Sequence, residues 1–317
     1  MKVTVKTPAR LHLGLIDLNG DLGRMFGGLG VGIDHPNVLI EAQNSNEYIV
    51  TGSEVELTKT LVNKFCLNYH VQPRIHIHIA ATIPSHVGLG SGTQLALAVA
   101  VALSKLLGVK ASVPDMAVAM GRTKRTSIGT NIFMQGGFVV DGGKNLKTNA
   151  VPPLIYRQSF PKDWRFVIAI PNQTKGLSSA EENKAFSKLS AMPSCDVAKI
   201  CRFTMFKLLP ALAENDIQSF GEALTEIQLL TGKYFAEAQG GTYSSLAIAD
   251  CVEFMKQTGA YGVGQSSWGP TVYAVVKKEQ AKQLLTDVKA YLRREVGGQA
   301  FIAKANNTGA FIKTLEV

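Results

Sequence analysis

The chain is 317 residues long, 46% of them hydrophobic, with 33 Lys and Arg against 24 Asp and Glu and a formal net charge of +9. That length and apolar content suit one large or two ordinary domains whose core needs no disulfide staple, and basic residues this thinly spread argue against a nucleic-acid partner. Four scattered cysteines (Cys66, Cys195, Cys201 and Cys251) without a Cys-x-x-Cys pair, an opening without a signal-like apolar run, and a most apolar stretch shorter than the roughly 20 residues of a membrane span point to a reduced, cytoplasmic protein with no membrane partner.

Val3 and Val5, then Leu11, Leu13 and Leu15, alternate with polar or small residues as in a strand with one buried face, which puts Arg10 and His12 on the same side. Residues 19–30 are too rich in glycine for a helix and read as a connector, followed by strands near 31–33 and 38–42. Arg74-Ile75-His76-Ile77-His78-Ile79 alternates strictly, so His76 and His78 share a strand face; with a third ligand that spacing binds a metal, and without one it is a solvated sheet face.

Pro84-Ser85-His86-Val87-Gly88-Leu89-Gly90-Ser91-Gly92-Thr93-Gln94 then runs straight into an apolar segment. This reads as an anion cradle opening a buried helix over 93–107: glycines let the backbone turn with its N–H groups exposed, and the first helical turn leaves N–H groups unpaired at the positive end of the dipole. No Gly-Lys-Ser/Thr closes the loop and no Gly-x-Gly-x-x-Gly is present, so it is neither a Walker loop nor a dinucleotide fingerprint. Taken alone it is equally a plain glycine turn before a core helix.

Ser112, with Asp115 three residues on, predicts the cap of a second helix over 113–120. It leads to Arg122-Thr123-Lys124-Arg125, which is either a solvated turn or part of the basic field around the glycine loop; residues 1–157 carry 15 Lys and Arg against 9 Asp and Glu. Gly136-Gly137-Phe138-Val139-Val140-Asp141-Gly142-Gly143 predicts a short strand between glycines, and 145–160, with Pro152 and Pro153, the boundary between domains at 1–157 and 158–317. Beyond it the pattern predicts a strand at 165–170, helices near 181–189, 198–213, 217–230 and 246–257, a strand at 271–276, a helix at 278–294 and a terminal strand near 310–313. Helices outnumber strands there, as in an α+β domain with helices on one face of a small antiparallel sheet.

Three segments in this order resemble the GHMP kinase superfamily: Pro8-Ala9-Arg10-Leu11-His12-Leu13-Gly14, the glycine loop from Pro84 to Gln94, and Gly262-Val263-Gly264-Gln265-Ser266-Ser267-Trp268-Gly269-Pro270-Thr271. Within it, the run Arg10 to Leu18, Gly88 to Ala98, Gly136 to Gly143, Gln239-Gly240-Gly241 and Gln265 to Pro270 are similar to the β-ribofuranosylaminobenzene 5′-phosphate synthase family of methanopterin biosynthesis, over nearly the whole chain. The resemblance implies an α+β, two-domain GHMP kinase-like fold, with a ribosomal protein S5 domain 2-like N-terminal domain and a ferredoxin-like C-terminal domain. The chain departs from the kinases at Ser127-Ile128-Gly129-Thr130-Asn131, where many of them carry a catalytic Asp at the position of Thr130, and a threonine cannot act as a carboxylate base. It departs from the synthases where glycines are expected and Thr123 and Ser127 stand.

What the resemblance implies for function is a ribosyltransferase that joins phosphoribosyl diphosphate to 4-hydroxybenzoate or 4-aminobenzoate with loss of diphosphate and CO2, with Mg²⁺ as cofactor and a homodimer as the assembly. Gly88, Leu89, Gly90, Ser91, Gly92 and Thr93 would hold diphosphate. Asp17, His12 and Arg24 are the candidate catalytic residues, and Asp17 and Glu181 the candidate metal ligands; equally, Asp17 would cap the turn after the first strand, Glu181 favour a helix start and His12 sit in the core. Arg10, Arg24 and Arg125 suit the 5′-phosphate and the aromatic carboxylate, because guanidinium binds such groups through two nitrogens at once. Gln265, Ser266, Ser267 and Trp268 would form a donor-rich turn with an aromatic wall. The rival readings are an ATP-dependent small-molecule kinase on the same fold and a nucleic-acid-binding protein.

Overall fold

The computed structural model describes residues 1–148, 150–172, 186, 187 and 189–316. β1 (Lys2–Asp17) follows the predicted alternation: Val3, Val5, Leu11 and Leu13 are fully buried, while Arg10 and His12 lie on the other face. Its partner β2 (Arg24–Asn44) is antiparallel and takes in much of the expected connector. The glycines there serve packing: a Cβ on Gly30 would lie 2.3 Å from Ile128 Cγ2, and one on Gly28 2.6 Å from Ile128 Cγ1. A helix side chain therefore rests directly on strand backbone, which is a reason for glycine inside a strand.

β3 (Ile49–Gly52) and β4 (Ile75–Ala81) continue the sheet on the far side of β2. Ile75, Ile77 and Ile79 of β4 are buried, and His76 and His78 lie on the outer face, each within hydrogen-bond distance of Thr51 Oγ1. α1 (Val55–Tyr69), absent from the sequence reading, links the two strands. α2 (Ser91–Leu106) begins two residues earlier than expected and is buried on nearly every side, as its all-round apolar sequence requires. α3 (Val113–Ala119) has the predicted capping box, Asp115 N–H to Ser112 Oγ and Ser112 N–H to Asp115 Oδ2. α4 (Ile128–Gln135) follows, then β5 (Phe138–Asp141), β6 (Lys144–Asn145) and β7 (Leu154–Gln158). β6 pairs with β2 and β7 with β5, so the stretch expected as a linker belongs to the first sheet as far as Gln158.

The second sheet begins at β8 (Trp164–Pro171). After it come α5 (Ser194–Phe203), a π-helical turn at Thr204–Leu208, α6 (Leu209–Glu214), α7 (Ile217–Gln239), α8 (Leu246–Gln257), β9 (Gly262–Gln265), β10 (Val272–Lys277), α9 (Ala281–Glu295) and β11 (Gly298–Ala303). The strands are antiparallel throughout in the order β11-β8-β10-β9, the order of a ferredoxin-like sheet. Helices cover both of its faces rather than the one expected. Val167, Ala169 and Ala274 pack under α8 and α9, while Phe166, Ile168 and Tyr273 pack with Phe220, Leu224 and Ile227 of α7 in the main core. The helix expected over 181–189 falls largely outside the described residues. β12 (Phe311–Leu315) leaves the second sheet and pairs with β1, Lys2 opposite Leu315. No described helix is long and apolar enough to cross a membrane.

Candidate active site

Three segments far apart in sequence are laced together by hydrogen bonds. Arg10 N–H donates to Leu89 O at 3.1 Å, and Thr271 N–H to Val87 O at 3.2 Å. Arg10 Nη1 donates to Gly88 O at 2.5 Å, and Ser266 Oγ donates to the same carbonyl at 2.6 Å while accepting His12 N–H at 2.9 Å. The glycines are required by these approaches: Gly88 has φ +85° and a Cβ there would lie 2.2 Å from Ser266 O, while a Cβ on Gly90, at φ +81°, would meet Arg10 Cγ at 2.8 Å. Gly90 caps α2: its carbonyl accepts the N–H groups of Thr93 and Gln94, each at 3.1 Å, and among the described residues the N–H groups of Ser91 and Gly92 have no backbone acceptor.

On that side is a cleft of about 390 Å³, lined by Gly88, Gly90, Ser91, Gly92 and Thr93 of the loop and by four cationic side chains, Arg10, Arg122, Lys124 and Arg125. Arg122 and Arg125 are half-buried and only Lys124 of the three is exposed, so the basic run is not a solvated turn. The combination of helix amides and cations is a site for a polyanion.

A second cavity, of about 180 Å³, adjoins the first and shares Arg10, Arg125, Thr126, Ser267 and Trp268 with it. Its apolar walls are Phe186, Phe235, Tyr243 and Trp268. Trp268 meets Phe235 edge-on with ring centroids 4.9 Å apart and Phe186 at 5.7 Å, and the Arg125 guanidinium lies 4.4 Å over the Phe186 ring. Burial, helped by the Arg10 charge, drives His12 down to about 3, so it lines this cavity as a neutral imidazole. Burial and the Glu253 carboxylate push Tyr243 up to about 12, which leaves it a protonated phenol. Gln228 Nε2 donates to Leu13 O at 2.7 Å and Gln228 Oε1 accepts Gln265 N–H at 3.0 Å, tying α7 to both β1 and β9. Gln265 in turn donates from Nε2 to Ser267 O at 2.9 Å and accepts Ser244 N–H at 2.8 Å, so it shapes the turn that carries Trp268.

Residues 56–136 match the GHMP kinases N terminal domain and residues 208–294 the GHMP kinases C terminal domain. The chain is 35% identical to the β-ribofuranosylphenol 5′-phosphate synthase of Archaeoglobus fulgidus, over 98% of this chain and 99% of that one. It is 31% identical to the synthase of the same name from Methanothermobacter thermautotrophicus, again over 98% and 99%. The chain belongs to this synthase family of the GHMP kinase superfamily. Its fold is shared with homoserine kinase from Cytophaga hutchinsonii (TM-score 0.71, 16% identity, 98% of this chain and 97% of that one) and with mevalonate kinase from Methanococcus jannaschii (TM-score 0.69, 15% identity, 96% and 98%).

Family membership and geometry together sort the candidate residues. Gly88, Gly90, Ser91, Gly92, Thr93, Arg10, Arg125, Ser267 and Trp268 line the polyanion cleft, and His12 and Gln265 the aromatic cavity. Leu89 does not reach the cleft, because its side chain is buried in the core and its carbonyl is taken by Arg10. Ser266 is likewise buried, its hydroxyl used inside the seam. Asp17 lines neither cavity: its Oδ1 accepts the N–H groups of Asn19 at 2.8 Å and Gly20 at 3.1 Å, which makes it the cap of the turn after β1. Arg24 also lines neither, and its Nη1 donates to Gly143 O at 3.0 Å, on the turn after β5. Glu181 lies outside the described residues.

No carboxylate among the described residues lines either cavity, and no group of three or more His, Cys, Asp or Glu among them is placed to hold a metal. Mg²⁺ is held by carboxylate oxygens and phosphates; the described lining offers N–H groups, hydroxyls and cations, which fit an anion, and the candidate ligand Glu181 is not among the described residues. Thr130 is 2% exposed, its hydroxyl has no partner, and it too lines neither cavity. Asp141, from the glycine-bounded motif, has a structural task. It accepts the N–H groups of Gly28, Gly143 and Ser127 at 3.1, 3.0 and 2.7 Å, pinning the start of α4 to β2, while burial pushes its carboxyl upward.

Arg122 and Lys124, in sequence only members of a basic run near the glycine loop, line the cleft with Thr126, and Gln228, Thr231, Phe235 and Tyr243, which no motif marks, line the cavity. Gln228, Thr231 and Phe235 recur at helical spacing on one face of α7, a signal present in the sequence but cut short by ending the helix at 230.

Proposed function

We propose that the protein is a decarboxylating ribosyltransferase that joins C1 of phosphoribosyl diphosphate to the carboxylate-bearing ring carbon of 4-hydroxybenzoate or 4-aminobenzoate. The observation that carries the reading is the pairing of two unlike cavities: a cationic cleft at the start of α2 and an aromatic-walled pocket have Arg10, Arg125, Thr126, Ser267 and Trp268 in common. A donor with a diphosphate and an acceptor with a flat ring need those two environments side by side. The relatives are named for β-ribofuranosylphenol 5′-phosphate, which favours 4-hydroxybenzoate of the two acids.

In the reaction the C1–oxygen bond breaks with its electron pair going to diphosphate, and the ring carbon bonds to C1. The electron pair of the ring–carboxylate bond then returns to the ring as CO2 leaves, so charge and atoms balance without an oxidant. The cleft's cations and the first amides of α2 stabilise the charge growing on diphosphate. Trp268, Phe186 and Phe235 hold the ring against the reacting carbon, and Arg10 and Arg125, at the junction, suit the acceptor carboxylate or the 5′-phosphate. His12 and Tyr243 offer uncharged hydrogen-bonding groups in the ring's pocket. A kinase reading lacks its base, since Thr130 is buried where a carboxylate would be wanted. The same reading has the enzyme act in the cytoplasm, as a homodimer, on soluble anions.

The test is incubation with phosphoribosyl diphosphate and carboxyl-labelled 4-hydroxybenzoate or 4-aminobenzoate in Mg²⁺ buffer. Equal release of labelled CO2 and diphosphate is expected, the faster acid naming the acceptor. Silence with both acids, together with ATP-dependent phosphorylation of a small alcohol, would overturn the reading.

A further inference from the structure

Arg122 is held in the cleft wall in a way that a surface arginine is not. Its backbone N–H is bound by Ala117 O at 2.8 Å at the end of α3. Its side chain runs along the first turn of α2, where a Cβ on Gly92 would lie 3.2 Å from Nη1 and 3.5 Å from Nη2. A side chain at 92 would therefore crowd the guanidinium by a few tenths of an ångström. Nε is shielded from solvent and has no hydrogen-bond partner. Among the described residues no carboxylate pairs with Arg122, and burial pushes its pKa down. Arg10 and Arg125 differ: one donates to Gly88 O and the other stacks on Phe186.

Arg122 is half-buried, its Nε is out of solvent and no described carboxylate offsets its charge, so the guanidinium keeps only part of its hydration and has no counter-charge. Yet Arg122 lines the cleft beside Gly90, Ser91 and Thr93. We infer that Arg122 is a binding residue for the donor's diphosphate, its guanidinium and the opening amides of α2 forming one phosphate subsite. The inference rests on the proposed ribosyl transfer only in naming the anion as diphosphate. A guanidinium presents two parallel N–H groups to a phosphate, a geometry that lysine lacks.

The experiment measures inorganic pyrophosphate binding to the full chain by calorimetry, and thermal unfolding with and without pyrophosphate, for the wild type, Arg122→Met and Arg122→Lys. Arg122→Met is expected to unfold, without ligand, at the same temperature as the wild type or higher, because no described carboxylate pairs with the charge that it removes. It should bind pyrophosphate at least about tenfold more weakly and lose the pyrophosphate-induced rise in Tm; Arg122→Lys should fall between the two. A structural role predicts the reverse: lower ligand-free Tm with undiminished pyrophosphate affinity, which would overturn the inference. Should the Met variant fail to fold, wild-type affinity in the Lys variant overturns it as well. Arg122-dependent stabilisation by ATP with none by pyrophosphate would also overturn it. Arg122-dependent pyrophosphate binding in a protein that makes no ribosylated product would sustain the subsite and remove the ribosyl-transfer reading alone.

Discussion

Ser266 donates its hydroxyl to the carbonyl oxygen of Gly88 at 2.6 Å, across 178 positions of sequence. Because that hydroxyl also receives His12 N–H, and the Gly88 carbonyl also receives Arg10, one small knot fixes the strand that carries His12, the loop that opens α2 and the turn that carries Trp268. Both cavities are built on it, so their relative placement depends on two side chains, Ser266 and Arg10, that bind backbone groups of the other segments.

Gly88→Ala strikes this knot directly. The new methyl would lie 2.2 Å from Ser266 O in a backbone conformation, φ +85°, that alanine resists. The expected cost is about 2–4 kcal/mol, read as a lowered urea midpoint, with pyrophosphate binding lost in calorimetry. Ser266→Gly should not rescue it, because the clashing atom belongs to the backbone.

Thr130→Val tests whether the position that holds a catalytic carboxylate in kinases has any chemical task here. Its hydroxyl is buried and unpartnered, so replacing it with an isosteric methyl removes an unmade hydrogen bond. Stability should be unchanged or higher by up to about 1 kcal/mol, with turnover as in the wild type. A large loss of turnover at unchanged Tm would refute this placement of Thr130.

His12 makes stability depend on pH. Its folded value is about 3 against an ordinary 6.5, from burial first and the Arg10 charge second, so between those values the unfolded chain binds the proton and the folded one does not. The contribution is complete above pH 6.5 and is lost as pH falls toward 3, with a slope of at most about 1.4 kcal/mol per pH unit. Urea titrations at pH 7, 6 and 5 should show that slope in the wild type and a shallower one in His12→Gln. By the same token His12 stays neutral from pH 5 to 9, and an acid limb of activity in that range belongs to another group.

What could be read in the sequence was what local rules write there. The alternation of β1, the glycine loop and the Ser112–Asp115 capping box each depend on neighbours within a few residues, and each is present. The glycine-rich run in β2 was read as a connector because its glycines answer to Ile128, a contact no local pattern encodes. Asp17 was singled out as a carboxylate at the end of the first strand and Arg24 as a guanidinium suited to phosphate, but Asp17 caps a turn and Arg24 donates to the turn after β5. Arg122 was hidden for the opposite reason: in a run of basic residues nothing in the sequence distinguishes the one that turns inward. The aromatic cavity depends on how far α7 extends and on a sheet whose edge strands β9 and β11 are short, glycine-bearing and weak in pattern.

The pairing of β12 with β1 has a bearing on how the molecule is made. Lys2 to Lys6 find β2 early in synthesis, but their other neighbour is Phe311 to Leu315. Contacts that span nearly the whole chain slow folding, and an unpaired strand edge is open to pairing with other chains until its partner arrives. One edge of the sheet that carries Arg10 and His12 therefore stays unpaired until residues 311–315 have been made, and over that interval it is exposed to pairing with other chains.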